Sequence, residues 1–189
     1  MKEGDSRSVA GHMRTLQFYG NSRLGFKEIP KPVCSDDTAV IKVKASALCG
    51  SELESFTGKP LQVHNTGHEV VGTIEEAPVG SSYKRGMRVG ARVVQGCGKC
   101  DFCQQGYETA CRKSTFYTNG HAEYFELGIN GIQSIPDGVD WPAATILTGD
   151  GLGVPVRCAR RLGDTKGKKI LILGLGPVGL SCALVQAFR

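Results

Sequence analysis

The sequence predicts two unlike parts: a mainly β unit over residues 1–150, built as a barrel or sandwich, and the opening of an α/β unit over residues 151–189. Three observations predict this. Short β-branched runs separated by glycine-bearing turns fill the first ~145 residues, the signature of a β barrel or sandwich rather than a parallel sheet. The character changes near Asp140, where helix signals begin. An apolar run then leads directly into a glycine-rich turn, as a βα unit requires.

The β segments are Ala39–Ala45 (AVIKVKA), Val70–Glu75 (VVGTIE), Arg88–Val94 and Ala122–Leu127 (AEYFEL). Asp140-Trp141-Pro142 reads as a helix start, an N-cap carboxylate with proline in the first turn. The apolar segment that follows is interrupted by Thr148-Gly149-Asp150-Gly151, and Pro155 is expected to open a second helix through Arg161. Lys169–Leu173 (KILIL) reads as a β run, followed by Gly174-Leu175-Gly176-Pro177-Val178-Gly179 and a helix to Arg189. A parallel strand needs partners on both sides, so the chain reads as stopping inside a second domain.

Composition excludes several classes. The chain has 189 residues, of which 40% are hydrophobic, enough for a core. The net charge of +5 is spread without a block longer than pairs such as Lys168-Lys169, so neither nucleic acid nor a membrane surface is expected as a partner. No apolar run reaches membrane-span length. The N-terminal MKEGDSRSVAGHMR has no apolar stretch after its charges and does not read as a secretory signal. A reducing, cytoplasmic setting is therefore expected, where eight cysteines more often serve metals or redox chemistry than bridges.

Four of those cysteines, Cys97, Cys100, Cys103 and Cys111, lie in the pattern Cys-x-x-Cys-x-x-Cys-x7-Cys. Thiolates at such gaps can wrap one tetrahedral Zn2+ with no position left open, which makes the metal structural. Gly96, Gly98 and Gly106 would supply the bends. Free thiols, disulfides and an iron–sulfur cluster are the alternatives, the last in a spacing unlike the common ferredoxin patterns. Cys49, His68, Glu69 and Asp150 are dispersed, and each alone has an ordinary reading as a buried or loop residue. A catalytic zinc needs three protein ligands and an open fourth position, and composition cannot assemble these residues in space.

Several segments carry a resemblance, in order along nearly the whole chain. They are Ala47-Leu48-Cys49-Gly50-Ser51-Glu52, Gly67-His68-Glu69-Val70-Val71-Gly72, the four-cysteine segment, His121-Ala122-Glu123-Tyr124, Ile135-Pro136-Asp137-Gly138 and the glycine turn at 174–179. Together they resemble the zinc-dependent medium-chain dehydrogenase/reductase family of the alcohol dehydrogenase type. The resemblance implies a GroES-like β-barrel catalytic domain at 1–150 with a structural-zinc lobe at 95–113. A linker helix and the first βα unit of a truncated NAD(P)-binding Rossmann domain follow at 151–189. It implies two zinc ions per chain, one on Cys97, Cys100, Cys103 and Cys111, the other catalytic on Cys49, His68 and Asp150, with Glu69 nearby or exchanging. Ser51 would accept the alcohol proton, and Gly174, Gly176, Pro177, Val178 and Gly179 would bind NAD or NADP in a full-length parent. The implied reaction moves a hydride between a small alcohol and the corresponding aldehyde or ketone, in a homo-oligomer when full length.

The sequence also departs from that family's pattern. Glu52 stands where Asp is usual, as an expected partner of His68, and Glu54 stands where many relatives carry a relay His. Val154 falls near a position where relatives often carry a nicotinamide-contacting Thr, and Phe56, Phe116 and Tyr117 are mixed candidates for the substrate pocket. The chain is about half the family's length, so it is expected to be inactive alone. The alternative is a non-catalytic, zinc-stapled domain or truncated product.

Overall fold

The computed structural model describes residues 11–59 and 63–188. Residues 1–10, most of the segment read for a secretory signal, lie outside the described residues, as do 60–62 and Arg189.

A hairpin opens the fold: β1 (His12–Gly20) pairs antiparallel with β2 (Arg23–Pro30). Asn21 and Ser22 both take positive φ, 49° and 57°, as a two-residue turn matching strand twist demands. This hairpin was not among the expected β segments. Its signal was the Gly20-Asn21-Ser22 turn, with Asn tolerant of left-handed backbone.

The main sheet is antiparallel, in the order β8-β3-β4-β5-β9. Its strands are β3 (Thr38–Ala47), β4 (Glu69–Glu76), β5 (Arg88–Ala91), β8 (Tyr124–Gly128) and β9 (Ile132–Ser134). Register shifts between Val40 and Ile41 and between Val43 and Ala45 raise the local twist, and the sheet curls into half a barrel. Its concave face carries the core: Ala39, Ile41, Val70, Ile74, Val89, Ala91, Phe125 and Leu127. Each large apolar side chain so buried contributes about 1.5–3 kcal/mol. The hairpin is stitched on where Leu16 N–H donates to His121 O and Phe18 N–H to His64 O, both at 2.8 Å.

The run expected over Arg88–Val94 breaks in two. β5 stops at Ala91, and β6 (Val94–Gln95) turns away to pair with β7 (Thr115–Phe116). The cysteine segment, with its short helix α2 (Asp101–Gln104), is the excursion between them. Another short helix, α1 (Leu53–Thr57), follows a 3-10 turn at Gly50–Glu52.

Helix α3 (Trp141–Thr148) begins as its sequence reads: the Asp140 carboxylate accepts Ala143 N–H at 2.7 Å, and Pro142 sits in the first turn. Ala144 and Trp141 pack it on Val71 of the sheet. The next helix corrects the expectation. α4 spans Asp150–Leu162, starting five residues before Pro155, which lies inside it. Only Gly149, in extended backbone, separates the helices. The Glu69 side chain lies against the Gly149 N-cap, beside an otherwise open helix end.

α5 (Pro177–Ala187) follows the glycine turn and packs on α4, burying Ala159 and Ser181. Lys169–Leu173, expected as a strand, forms none. A strand is made by inter-strand hydrogen bonds, and no neighbouring strand runs beside this segment among the described residues. Leu171 and Leu173 stand 83% and 88% exposed. Among the described residues no helix is long and apolar enough to cross a membrane.

Candidate metal centres and a cofactor turn

The four cysteines converge. Their sulfur atoms all lie within 4.8 Å of one another, and Cys100 and Cys103 Sγ are 3.5 Å apart. A tetrahedron with ~2.3 Å metal–sulfur bonds has edges of ~3.8 Å, so the cluster fits one metal ion with little closure. Gly98 and Gly106 make the bends at φ +70° and +79°, a conformation costly for other residues. Gly96 contributes differently: a Cβ there would run into Cys103 Sγ. Backbone N–H groups of Cys97 and Lys113 donate to Cys111 Sγ at 3.4 and 3.3 Å. N–H groups of Lys99 and Cys100 bring the Cys97 thiol down to about 6, whereas desolvation pushes Cys103 up to about 12. The lobe is preset to carry thiolate charge.

The dispersed residues come together in part. His68, 7% exposed, opens β4 from a buried loop. Its Nδ1 lies 2.7 Å from Thr66 O. A carbonyl only accepts, so Nδ1 carries a proton and Nε2 is the ring nitrogen left to face a ligand. That nitrogen faces Asp150 Oδ2 at 3.7 Å, too long for a hydrogen bond. A ring nitrogen and a carboxylate oxygen facing each other across such a gap suit a cation: nitrogen and oxygen ligands of one tetrahedral zinc sit ~3.4 Å apart. Glu69 lies beside them. Desolvation raises its carboxyl above the ordinary range, opposed by His68 and reinforced by Asp150 and Glu52. Cys49 is half-buried at the start of the 3-10 turn, but its sulfur does not join His68 and Asp150 in a group within 4.8 Å. Ser51 is exposed on the same turn, and Glu54 on α1.

A cleft of about 240 Å³ runs past His68 and Asp150, walled by Thr148, Gly153, Val154 and Arg157. The Phe116 ring stands 5.8 Å from the His68 ring. Of the other pocket candidates, Phe56 packs edge-on against Phe18 and Tyr117 against the sheet core.

The expected Glu52–His68 contact is replaced by another. Glu52 is 1% exposed and pairs with His121 Nε2 at 3.0 and 3.2 Å. Its environment works both ways: burial raises the carboxyl, but hydrogen bonds from His121 and Cys49 N–H outweigh it and hold it below the ordinary range. Sequence reasoning assigned His121 no role. The available signal was its place in His121-Ala122-Glu123-Tyr124, where the resemblance calls for Phe.

At the glycine turn, Gly174 has φ +91° and Gly176 N-caps α5 with open space above it. A Cβ on Gly179 would strike Gly174 O. These are the three glycine roles of a dinucleotide turn: tight bend, open approach to a pyrophosphate and close packing of the helix.

The alcohol dehydrogenase GroES-like domain family matches residues 35–137. The chain belongs to this family. It is 30% identical to zinc-type alcohol dehydrogenase B of Aspergillus flavus, over 96% of this chain and 46% of that protein. It is 28% identical to a sorbitol dehydrogenase of Bacillus subtilis, over 97% of this chain and 55% of that protein. Acetophenone reductase from Geotrichum candidum, solved in complex with NAD, superposes with a TM-score of 0.82 at 26% identity, over 96% of this chain and 57% of that one. The fold is accordingly that of zinc alcohol dehydrogenases, a GroES-like half-barrel with part of a Rossmann unit. The chain spans about half the length of the curated relatives it matches.

Proposed function

We propose that this chain is the catalytic-domain portion of a zinc-dependent oxidoreductase that moves a hydride between a small alcohol and its aldehyde or ketone with NAD or NADP. The observation that carries the reading is the apposition of His68 Nε2 and Asp150 Oδ2 at 3.7 Å on the wall of a cleft. In this reading residues 1–150 are the catalytic domain with its metal lobe at 95–113, and 151–189 are a linker helix and the first βα unit of the nucleotide-binding domain. Cys49, His68 and Asp150 hold the second zinc, with Glu69 adjacent. Zinc there supplies Lewis acidity to an alcohol or carbonyl oxygen.

The chain's own residues do the rest. The Thr66 carbonyl fixes the His68 tautomer. Ser51 Oγ, two residues from Cys49, would accept a hydrogen bond from the bound alcohol's hydroxyl. Val154 borders the cleft and Phe116 stands against the His68 ring, apolar surfaces that exclude water beside the reacting carbon. Gly174, Gly176, Pro177, Val178 and Gly179 receive a pyrophosphate at the α5 N-terminus. A full-length homo-oligomer in the cytoplasm fits this reading.

The chain alone is expected to turn over little or no alcohol. Hydride transfer needs donor and acceptor carbons held ~3–3.5 Å apart, and one glycine turn holds only part of a dinucleotide. Elemental analysis tests the metal assignment: two zinc ions per chain are expected in material not exposed to chelator. One per chain would remove the second site, and iron in place of zinc would remove both assignments.

A further inference from the structure

We infer that His121 is a positioning residue for the second metal site: through Glu52 it holds the two segments that carry Cys49 and His68. The inference rests on the zinc-site reading above and adds a residue to it. One buried carboxylate joins both segments. Glu52 Oε2 accepts Cys49 N–H at 3.0 Å, and Oε1 accepts the Thr66 hydroxyl at 3.3 Å. Thr66 O in turn accepts His68 Nδ1–H at 2.7 Å. The ligand loop after β3 and the ligand loop before β4 therefore meet on one side chain.

That side chain needs its own anchor, and His121 is built to be one. Its Nε2 sits 3.0 Å from Glu52 Oε1, and its Nδ1 2.8 Å from Ser46 Oγ at the end of β3. Its main chain is fixed as well, with N–H donating to Asn65 Oδ1 at 3.2 Å and O accepting Leu16 N–H at 2.8 Å. The His121 side chain is 9% exposed and that of Glu52 0%. A buried carboxylate is held in place only while a donor satisfies it. Without His121, Glu52 keeps only the Cys49 N–H and the Thr66 hydroxyl as donors, and the common tie of both ligand loops is weakened. Cys49 is the ligand most affected, because its sulfur must still close onto the other two.

The test is a cobalt(II) titration of the 189-residue chain, read by visible absorption and by competition with a chelator. The four-thiolate lobe gives strong sulfur charge-transfer bands and serves as an internal control. The parent is expected to take up two cobalt ions. His121→Phe should bind the second one ~10–100-fold more weakly, the usual cost of losing a partner behind a metal ligand, with the lobe unchanged. His121→Gln keeps an N–H donor for Glu52 and should restore affinity to within ~3-fold of the parent. Because a stranded buried carboxylate can block folding, Glu52→Gln/His121→Phe, which leaves no buried charge, is measured beside them and should show the same loss. A parent with two cobalt ions and a His121→Phe or double variant that binds the second as tightly would overturn this inference alone. A parent that takes up only one, in the lobe, would overturn the site reading as well.

Discussion

The four-cysteine lobe and the proposed His68–Asp150 site are built in opposite ways. The lobe's ligands fall within fifteen residues of chain, on bends set by Gly98 and Gly106, and its sulfurs are already within 4.8 Å of one another. The second site draws on three distant segments: the turn after β3, the loop before β4 and the start of α4. Its geometry is inherited from the sheet, from Glu69 packed at the start of α4 and from Glu52 tying the loops. A local set can make its own shape and then depends on its metal. A dispersed set borrows its shape and only tunes the metal.

The largest expected effect follows from that contrast. Cys100→Ser opens a closed site whose metal binding is coupled to folding. Its melting temperature should fall by roughly 10 °C or more, with loss of one zinc. Cys49→Ser and His68→Ala should each lose the other zinc while melting within a few degrees of the parent, because the sheet carries that site. Melts in which Cys100→Ser matches the parent, or in which Cys49→Ser collapses, would reverse the contrast.

The same contrast explains what could be read from sequence. The β runs of the central strands, the Asp140 cap and the cysteine spacing are local signals, and the structure contains each of them. The α4 start was hidden because Pro155 looks like a helix opener, while the side chain that packs on the helix's N-cap Gly149, Glu69, lies eighty residues earlier. The Glu52–His121 pair was hidden for the same reason, since its partners are 69 residues apart. Motif resemblance named Cys49, His68 and Asp150, but only the fold shows two of the three facing one another.

The glycine turn is a third case, with local geometry formed and tertiary support absent. Leu171, Leu173 and Phe188 are 83%, 88% and 90% exposed, and among the described residues the segment before the turn pairs with no strand. In hydrogen exchange, amides of 169–176 should exchange within minutes while those of β3 and β4 persist for hours. Slow exchange throughout 169–188 in a demonstrated monomer would show that the segment needs no partner.

The smallest expected effect separates the two sites by pH. His64 belongs to the scaffold of the dispersed site: its carbonyl accepts Phe18 N–H from β1, its Nδ1 lies 2.7 Å from Gln17 Oε1, and its own N–H donates to Asn119 Oδ1. Desolvation first, then the charge of Lys27, lowers its folded pKa below the ordinary 6.5. A histidine lowered in the fold binds its proton more readily unfolded, so its contribution to stability is fully present above 6.5 and lost as pH falls towards the folded value. Acidification from about pH 7.5 to 6 should therefore loosen the hairpin and the loop leading to His68, with the cysteine lobe still metal-bound. The parent should melt lower at the acidic end, and His64→Gln, which cannot titrate, should show a shallower slope over the same range. Equal slopes in parent and variant would mean that the scaffold of the second site does not feel this proton, and the remaining pH dependence would then have to come from the metal ligands themselves.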